Sequence, residues 1–170
     1  DAGMSVQMAE YVSQAVIRFF RGLDRYESDM AQGLWQHQRN PRRADYPVGV
    51  MGMGLMGARV AQALTVFDFT VNGWSRSPRS VAGVQGFSGV QQFDAFLSST
   101  RILVNLLPLH AETENIINAR TLALLQPGAY VINVGRGGHV VDADLMAQID
   151  AGHVSGAMLD VFREEPLPPG

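Results

Sequence analysis

The sequence of 170 residues lacks both cysteine and lysine. Without cysteine the chain can form no disulfide, no thiolate nucleophile and no zinc–thiolate site, and we predict no metal site. Because all 13 Lys and Arg positions are arginine, mechanisms that need a lysine are excluded from this chain. Long apolar runs are missing too, since no segment reaches the roughly 18–20 apolar residues of a membrane span. The N-terminus also lacks the pattern of a signal peptide, so we expect no membrane partner.

The chain also has no excess of positive over negative charge, because its formal net charge is -3. Proteins that bind nucleic acid usually carry a basic excess, so we expect no nucleic-acid partner. With 46% hydrophobic and 17% charged residues, the composition is ordinary for a soluble α/β protein. The absence of cysteine is compatible with a reducing compartment, and we expect a cytoplasmic protein.

The two ends of the chain have the character of positions inside a longer protein. The chain opens with Asp-Ala-Gly, without an initiator methionine, and closes on Glu-Pro-Leu-Pro-Pro-Gly, which is typical of a linker. We therefore expect these ends to be cuts in a longer sequence.

The N-terminal part is predicted to be helical. Apolar residues recur at three- and four-residue steps over residues 4–36, with Ser5 as a candidate N-cap and a break near Gly22. Residues 37–46 are polar and interrupted by proline, which predicts a linker. We therefore divide the chain into an N-terminal helical segment with linker, residues 1–45, and a nucleotide-binding domain, residues 46–170.

Beyond the linker, apolar strands alternate with helices. Strands are predicted over residues 47–51, 69–74, 102–107, 129–134 and 156–161. Helices are predicted over residues 55–67, 91–97, 118–125 and 142–150, with a loop over residues 75–88. Near-continuous apolar strands separated by helices indicate a parallel sheet that is covered on both faces. The predicted fold class is therefore α/β, a Rossmann-like doubly wound parallel sheet.

A Gly-x-Gly-x-x-Gly pattern, Gly52, Gly54 and Gly57, follows the first of these strands and opens a helix. Gly52 would allow a tight turn, Gly54 would let backbone amides approach a pyrophosphate, and Gly57 would let helix and strand pack closely. The helix N-terminus, with Leu55 and Met56, would present free N–H groups and partial positive charge to the phosphates. Within a βαβ unit this pattern predicts dinucleotide binding; the alternative is a turn that needs glycine only for packing.

The end of the second strand indicates which dinucleotide is bound. Domains that prefer NAD place Asp or Glu there, about 20 residues on, to bind the adenosine 2′-hydroxyl. This chain reads Trp-Ser-Arg-Ser-Pro-Arg and has no carboxylate at that place. Serine and arginine would instead hydrogen-bond and neutralise a 2′-phosphate, which an acid would repel. We predict a preference for NADP(H), with NAD(H) as the alternative cofactor and a solvated basic loop as the alternative interpretation. The residues concerned are Trp74, Ser75, Arg76, Ser77 and Arg79.

Three later segments resemble motifs of the D-2-hydroxyacid dehydrogenase family. Residues 105–113, Asn-Leu-Leu-Pro-Leu-His-Ala-Glu-Thr, resemble its LPLTPET stretch. Residues 131–142 resemble its NxxRGxxVD segment, and residues 156–167 resemble its GAxLDVFxxEPL segment. Residues 8–12 look like the family's helix that crosses to the partner subunit. The Trp-Ser-Arg-Ser sequence and the Leu-Pro-Pro ending are similar to the glyoxylate/hydroxypyruvate reductase branch, and the resemblance covers essentially the whole chain.

The resemblance implies roles for individual residues. Arg136 would bind the substrate carboxylate and polarise the keto oxygen, a task suited to a permanent, planar cation. Glu165 would orient the catalytic histidine, which in the family follows the Glu-Pro segment and would lie past Gly170. None of the four histidines present takes that place, and His139 and His153 are expected to be structural or exposed. Cofactor contacts are implied at Leu107, Pro108, Thr113, Val134, Gly135, Arg136 and Asp160.

The activity implied by the resemblance is hydride transfer between NADPH and a small 2-oxoacid such as glyoxylate or hydroxypyruvate. The resemblance also implies a homodimer joined through the nucleotide-binding domains, and we expect the apolar face of the N-terminal helix to be exposed for that contact. Because the catalytic histidine and the substrate-binding domain would lie outside these 170 residues, we expect the chain to bind NADP(H) but to turn over poorly by itself.

Other protein classes share parts of these patterns. The β-hydroxyacid dehydrogenases have a similar Gly-x-Met-Gly loop but use a catalytic lysine, which this chain lacks. A non-catalytic NAD(P)-sensing module, like the corepressors that share the fold, would need no downstream histidine. A methyltransferase would also have a glycine loop, but it would need an acid after the second strand, where Ser75 stands.

Overall fold

The computed structural model describes residues 2–167 of the chain. The strands are β1 (Val48–Met51), β2 (Val71–Ser75), β3 (Val84–Ser88), β4 (Ile102–Asn105), β5 (Ala129–Asn133) and β6 (Val154–Leu159). The α-helices are α1 (Ala2–Arg21), α2 (Leu23–Ala31), α3 (Leu55–Val66), α4 (Phe93–Ser98), α5 (Ala119–Ala123) and α6 (Asp142–Asp150).

The strands form one parallel sheet in the order β3-β2-β1-β4-β5-β6. All four residues of β1 and of β4 are buried, which explains why β1 has no polar side chain and β4 is apolar up to its last residue. The order reverses between β1 and β4, as it does in doubly wound dinucleotide-binding sheets. The predicted Rossmann-like fold is confirmed.

Helices cover both faces of the sheet. On one face α1 and α3 bury Val12, Val16, Val60 and Leu64 against the strands. On the other face α4, α5 and α6 bury apolar side chains such as Phe96. Each buried aliphatic or aromatic side chain stabilises the fold by about 1.5–3 kcal/mol, so the two cores hold the carboxyl ends of the strands in fixed register.

The N-terminal helices differ in detail from the prediction. The predicted break is confirmed at Gly22, which takes a left-handed conformation between α1 and α2. The N-cap prediction for Ser5 is wrong, because the helix already begins at Ala2. The prediction of an exposed apolar face is also wrong, since that face of α1 packs against α3 within the same chain.

One strand was not anticipated from the sequence. Residues 75–88 were expected to form a loop, but Val84–Ser88 pair with β2 as the edge strand β3. This strand is only half-buried and contains Gly86 and polar residues, so it lacks the apolar run of the other strands. Within residues 2–167, none of the helices combines the length and apolar character that a membrane crossing would need.

Candidate functional site

Four loops meet at the carboxyl edge of the sheet. They follow β1, β4, β5 and β6, and they contain most of the residues that the sequence singled out. β1 and β4 are hydrogen-bonded neighbours, with Met51 paired to Asn105. Because the strand order reverses between them, their loops diverge and leave a crevice, which is where ligands bind in such sheets.

The glycine turn after β1 has the geometry that its sequence predicts. Gly52 has a φ of 97°, and a Cβ there would lie 2.9 Å from the carbonyl carbon of Leu106. A Cβ at Gly57 would overlap the carbonyl oxygen of Gly52. Around Gly54, by contrast, a Cβ would meet no atom within 4 Å. Backbone atoms therefore leave no room for a side chain at Gly52 or Gly57, whereas Gly54 faces open space.

The open side of the turn is the N-terminus of helix α3. Gly54 is its N-cap, in an extended conformation and without a side-chain hydrogen bond to the cap. The first backbone bond of the helix runs from the Ala58 N–H to the Gly54 carbonyl, at 2.9 Å. The first-turn amides, which include those of Leu55 and Met56, have no intrahelical acceptor and carry partial positive charge. Such an end suits a phosphate group.

The loop after β2 contains two arginines and begins next to the glycine turn, because the Gly52 N–H donates to the Trp74 carbonyl at 2.9 Å. The hydroxyl of Ser75 donates to the carbonyl of Ser77 at 2.7 Å, which tightens the start of the loop. Ser77, Arg76 and Arg79 are exposed. Neither arginine forms an ion pair with any residue in the range 2–167, so both guanidinium groups are available to an anion.

Trp74 serves the structure in a different way from its neighbours. Its indole is buried against Phe93, and Nε1 donates to the carbonyl of Gly89 at 2.9 Å. Its own carbonyl accepts the N–H of Gly52 at 2.9 Å. The indole thus lies in the core, and the Trp74 carbonyl holds the glycine turn through its hydrogen bond to Gly52.

Two hydrogen bonds of the Thr113 hydroxyl hold the backbone of the loop after β4. Thr113 is buried, and its hydroxyl donates to the carbonyl of Pro108 at 2.7 Å and accepts the His110 N–H at 3.0 Å. Leu107 is nearly buried, whereas Pro108 and His110 are exposed. Leu107 and Pro108 therefore lie in the loop that follows β4, and the buried Thr113 holds the backbone of this loop.

In the turn after β5, one exposed arginine follows two buried residues. Val134 and Gly135 are buried, while Arg136 is exposed and its Nη1 donates to the Gly135 carbonyl at 2.7 Å. A Cβ at Gly137 would overlap the backbone of Phe162. This close approach brings the segment after β6 against the Arg136 turn.

The segment after β6 contains the two acids named from the sequence. The backbone N–H of Asp160 donates to the Asn133 carbonyl at 3.0 Å, and its side chain is exposed. Burial, and then a hydrogen bond to the carboxylate of Asp160, raise the pKa of Tyr11 in α1. The carboxylate of Glu165 is exposed and accepts the Phe162 N–H at 2.7 Å within its own turn.

Sequence reasoning missed a buried polar cluster beneath these loops. Asn105, Asn133 and His139 are fully buried, and the Nδ2 group of Asn105 is hydrogen-bonded to both of the others. Asn105 and Asn133 are directly paired positions at the ends of β4 and β5. The signal was present in the sequence, because both of these apolar strands end in asparagine. No group of three or more His, Cys, Asp or Glu within residues 2–167 has the geometry to hold a metal ion.

Comparison with known proteins gives a consistent match. The family model described as "D-isomer specific 2-hydroxyacid dehydrogenase, NAD binding domain" matches residues 14–170. Over 168 residues the chain is 46% identical to glyoxylate/hydroxypyruvate reductase A of Salmonella paratyphi B, an alignment that covers 99% of this chain and 54% of the relative. The chain therefore spans about half the length of the curated relatives that it matches.

Solved structures agree with this match. An NADPH-dependent glyoxylate/hydroxypyruvate reductase from Sinorhizobium meliloti, in complex with NADP and sulfate, superposes with a TM-score of 0.96 at 39% identity, covering 99% of this chain and 55% of that one. A D-isomer specific 2-hydroxyacid dehydrogenase from Xanthobacter autotrophicus Py2, in complex with NADPH and MES, gives a TM-score of 0.95 at 41% identity, covering 100% of this chain and 70% of that one.

Proposed function

Because the chain belongs to the D-isomer specific 2-hydroxyacid dehydrogenase family, we propose that it is the NADP(H)-binding domain of an oxidoreductase that acts on a small 2-oxoacid such as glyoxylate or hydroxypyruvate. The single observation on which the cofactor proposal rests is the pairing of two features. One is the open helix N-terminus at Gly54, and the other is the two arginines after β2, Arg76 and Arg79, which form no ion pair with residues 2–167.

Each feature fits one charged part of NADP(H). The first-turn amides of α3 can donate to the pyrophosphate, for which the space at Gly54 leaves room. The guanidinium groups and the Ser77 hydroxyl can bind the 2′-phosphate, and the Ser75 hydroxyl can join them by turning its proton from the Ser77 carbonyl to the phosphate. No carboxylate stands there to repel the phosphate. Leu107, Pro108, Val134, Gly135 and Asp160 follow the ends of β4, β5 and β6, and we propose that they contact the nicotinamide half.

The proposed reaction needs a hydride, a proton and a bound carboxylate. When bound, NADPH supplies the hydride to the keto carbon of the 2-oxoacid. Arg136 binds the substrate carboxylate and polarises the keto oxygen, because its exposed guanidinium is a permanent cation with a planar fork. The keto oxygen takes its proton from a histidine outside these residues, which Glu165 would orient, and the product is the 2-hydroxyacid.

Cofactor binding tests the proposal directly. Titrating the chain with NADPH and with NADH, followed by nicotinamide fluorescence, should show saturable binding of both, with NADPH bound at least about tenfold more tightly through its extra phosphate. Equal affinity for the two cofactors, or tighter binding of NADH, would contradict the assignment of the β2 loop. The absence of any binding would remove the proposed function altogether.

Turnover by the 170-residue chain is expected to be poor even when NADPH is bound. Loss of a general acid–base group alone lowers rates by roughly 100- to 10,000-fold, and the family's histidine has no counterpart among the residues present. The measurement is NADPH oxidation with glyoxylate or hydroxypyruvate as substrate. A rate typical of complete enzymes of this family would show that another residue of this chain supplies the proton.

We further propose that the chain forms a homodimer and is cytoplasmic. The apolar face of α1 is covered by α3 and does not support a dimer contact. The support comes instead from α2 and the residues after it, where Met30 is 74% exposed and Trp35 is 99% exposed. Large apolar side chains exposed together in this way are typical of an interface.

A further inference from the structure

The buried polar cluster of Asn105, Asn133 and His139 contacts the backbone of the turn that contains Arg136. The backbone N–H of Arg136 donates to Nδ1 of His139 at 3.1 Å, and its carbonyl accepts from Nδ2 of Asn133 at 3.0 Å. Both backbone polar groups of the exposed arginine are therefore held by buried side chains. The cluster also packs directly on the preceding residue, since a Cβ at Gly135 would lie 3.0 Å from Nδ2 of Asn105.

Backbone donors fix the orientation of both asparagines. The Leu107 N–H donates to Oδ1 of Asn105 at 3.2 Å, and the Gly135 N–H donates to Oδ1 of Asn133 at 3.2 Å. The Nδ2 group of Asn105 must then be the donor toward Oδ1 of Asn133 and Nδ1 of His139, each at 2.9 Å. The same asparagine thus ties the β4 loop to the β5 turn.

The donor pattern leaves only one form of the histidine ring. Two donors converge on Nδ1 of His139, the Arg136 N–H and Nδ2 of Asn105, so this nitrogen has to be an unprotonated acceptor. The proton of the neutral ring is then on Nε2, which is buried and forms no hydrogen bond of standard geometry within residues 2–167. A protonated Nδ1 would itself be a donor, facing the Arg136 N–H and Nδ2 of Asn105, which are donors too. Protonation would therefore break both hydrogen bonds.

We propose that His139 is a positioning residue, which in its neutral Nε2–H form holds the Arg136 turn in place and releases it on protonation. The role of Arg136 in binding a carboxylate rests on the proposed function, whereas the hydrogen bonds that hold its backbone do not. An arginine on a loosened turn binds a planar carboxylate less well, because the bidentate geometry is no longer preorganised.

The electrostatic surroundings of the ring favour the neutral form. Burial lowers the pKa of His139 most, and the charges of Arg136 and His110 lower it further. The carbonyl groups of Pro108 and Arg136 oppose this effect. Arg163 adds a further cation nearby, and it donates to the carbonyls of Gly138 and Val140 on either side of His139.

The sign of the pH dependence follows from this lowered pKa. The unfolded chain takes up the proton near the ordinary histidine value of about 6.5, and the folded chain takes it up only at lower pH. The contribution of His139 to stability is therefore complete above that value and declines as the pH falls from there toward the folded-state pKa. The hydrogen bond to Arg136 is lost over the lower part of this range.

Nuclear magnetic resonance on the 15N-labelled, NADPH-saturated chain tests the proposal. At neutral pH the ring nitrogens of His139 should report the Nε2–H form, and the pH is then lowered until the ring gains its second proton, which should occur below the ordinary value of about 6.5. The Arg136 amide resonance should shift at the same pH at which the ring gains its second proton. A ring protonated on Nδ1 at neutral pH, or an Arg136 amide indifferent to the ring titration, would overturn it.

Three variants separate positioning from mere stability. His139→Leu removes the acceptor, so exchange of the Arg136 amide with solvent should become roughly tenfold faster or more. His139→Gln retains an acceptor without a titration, so exchange should stay nearly normal and the pH step should vanish. His153→Gln is the matched control, because His153 bonds the Leu122 carbonyl at 3.2 Å, and it should leave Arg136 unchanged.

The outcomes also distinguish this inference from the proposed function. If NADPH fails to bind while the ring form and the Arg136 amide behave as described in the free chain, the proposed function fails and the positioning role stands. If NADPH binds but His139→Leu leaves the Arg136 amide unchanged, the positioning role is refuted. Should His139→Leu not fold, the wild-type titration and the loss of the pH step in His139→Gln decide.

Discussion

Replacing Gly54 by alanine is expected to abolish tight NADPH binding while the chain stays folded, whereas replacing Gly57 by alanine is expected to damage both binding and fold. The two glycines belong to one turn, but their surroundings differ. A Cβ at Gly54 would meet no atom within 4 Å, and the φ of -74° at Gly54 suits alanine. A Cβ at Gly57 would overlap the Gly52 carbonyl oxygen.

The open space at Gly54 is where we propose that the pyrophosphate meets helix α3. A methyl group there would keep the phosphate oxygens away from the first-turn amides, and each hydrogen bond to a charged group contributes about 1.5–3 kcal/mol. Losing two such bonds weakens binding by roughly 100-fold or more. The free energy of unfolding of Gly54→Ala should change by less than about 1 kcal/mol, because alanine restricts the unfolded chain but caps a helix poorly.

Gly57→Ala should instead lower the free energy of unfolding by about 3 kcal/mol, because two backbone segments have to move apart. Urea denaturation and NADPH titration of the two variants give both quantities, and each variant serves as the control of the other. A Gly54→Ala variant with wild-type affinity would show that the pyrophosphate binds elsewhere. A Gly57→Ala variant as stable as the wild type would show that the close contact with Gly52 does not constrain the turn.

This contrast also shows which features the sequence could predict. The spacing of Gly52, Gly54 and Gly57 indicated the turn, because each position has a steric reason that holds in any βαβ unit. The buried strands β1, β4 and β5 could be predicted equally well, since strands covered on both faces are apolar over most of their length. Local pattern and tertiary environment agree at these places.

The features that the sequence did not reveal depend on distant partners. The edge strand β3 is half-exposed and has no apolar run, so only its pairing with β2 defines it. The polar cluster joins Asn105, Asn133 and His139, which no local spacing connects. It arises because parallel register sets Asn105 opposite Asn133. The burial of the Trp74 indole likewise depends on contacts with Gly89 and Phe93.

Removing both arginines of the β2 loop is expected to weaken the preference for NADPH over NADH strongly. In the double variant Arg76→Ala/Arg79→Ala, NADPH affinity should fall roughly 100-fold, because two charge-assisted contacts to the 2′-phosphate are lost. NADH has no such phosphate, and its affinity should change by less than about threefold. Both side chains are exposed and form no ion pair with the described residues, so the fold should not depend on them.

A matched control removes the same amount of charge elsewhere. Arg25 in α2 and Arg39 in the linker are exposed too, and Arg25→Ala/Arg39→Ala gives the same net charge as the test variant. If the effect came from overall charge, both double variants would lose NADPH affinity equally. If it comes from contacts at the 2′-phosphate, the control should bind NADPH like the wild type at physiological salt, where the Debye length is about 8 Å.

A carboxylate at the end of β2 sharpens the same test, because it adds repulsion rather than only removing attraction. Ser75→Asp sets an acid where NAD-preferring domains have one, so it should accept a hydrogen bond from the 2′-hydroxyl of NADH and repel the 2′-phosphate of NADPH. Combined with Arg76→Ala/Arg79→Ala it should reverse the preference in favour of NADH, as measured by fluorescence titration of both cofactors. A combined variant that still binds NADPH more tightly would mean that the phosphate is recognised by residues outside this loop.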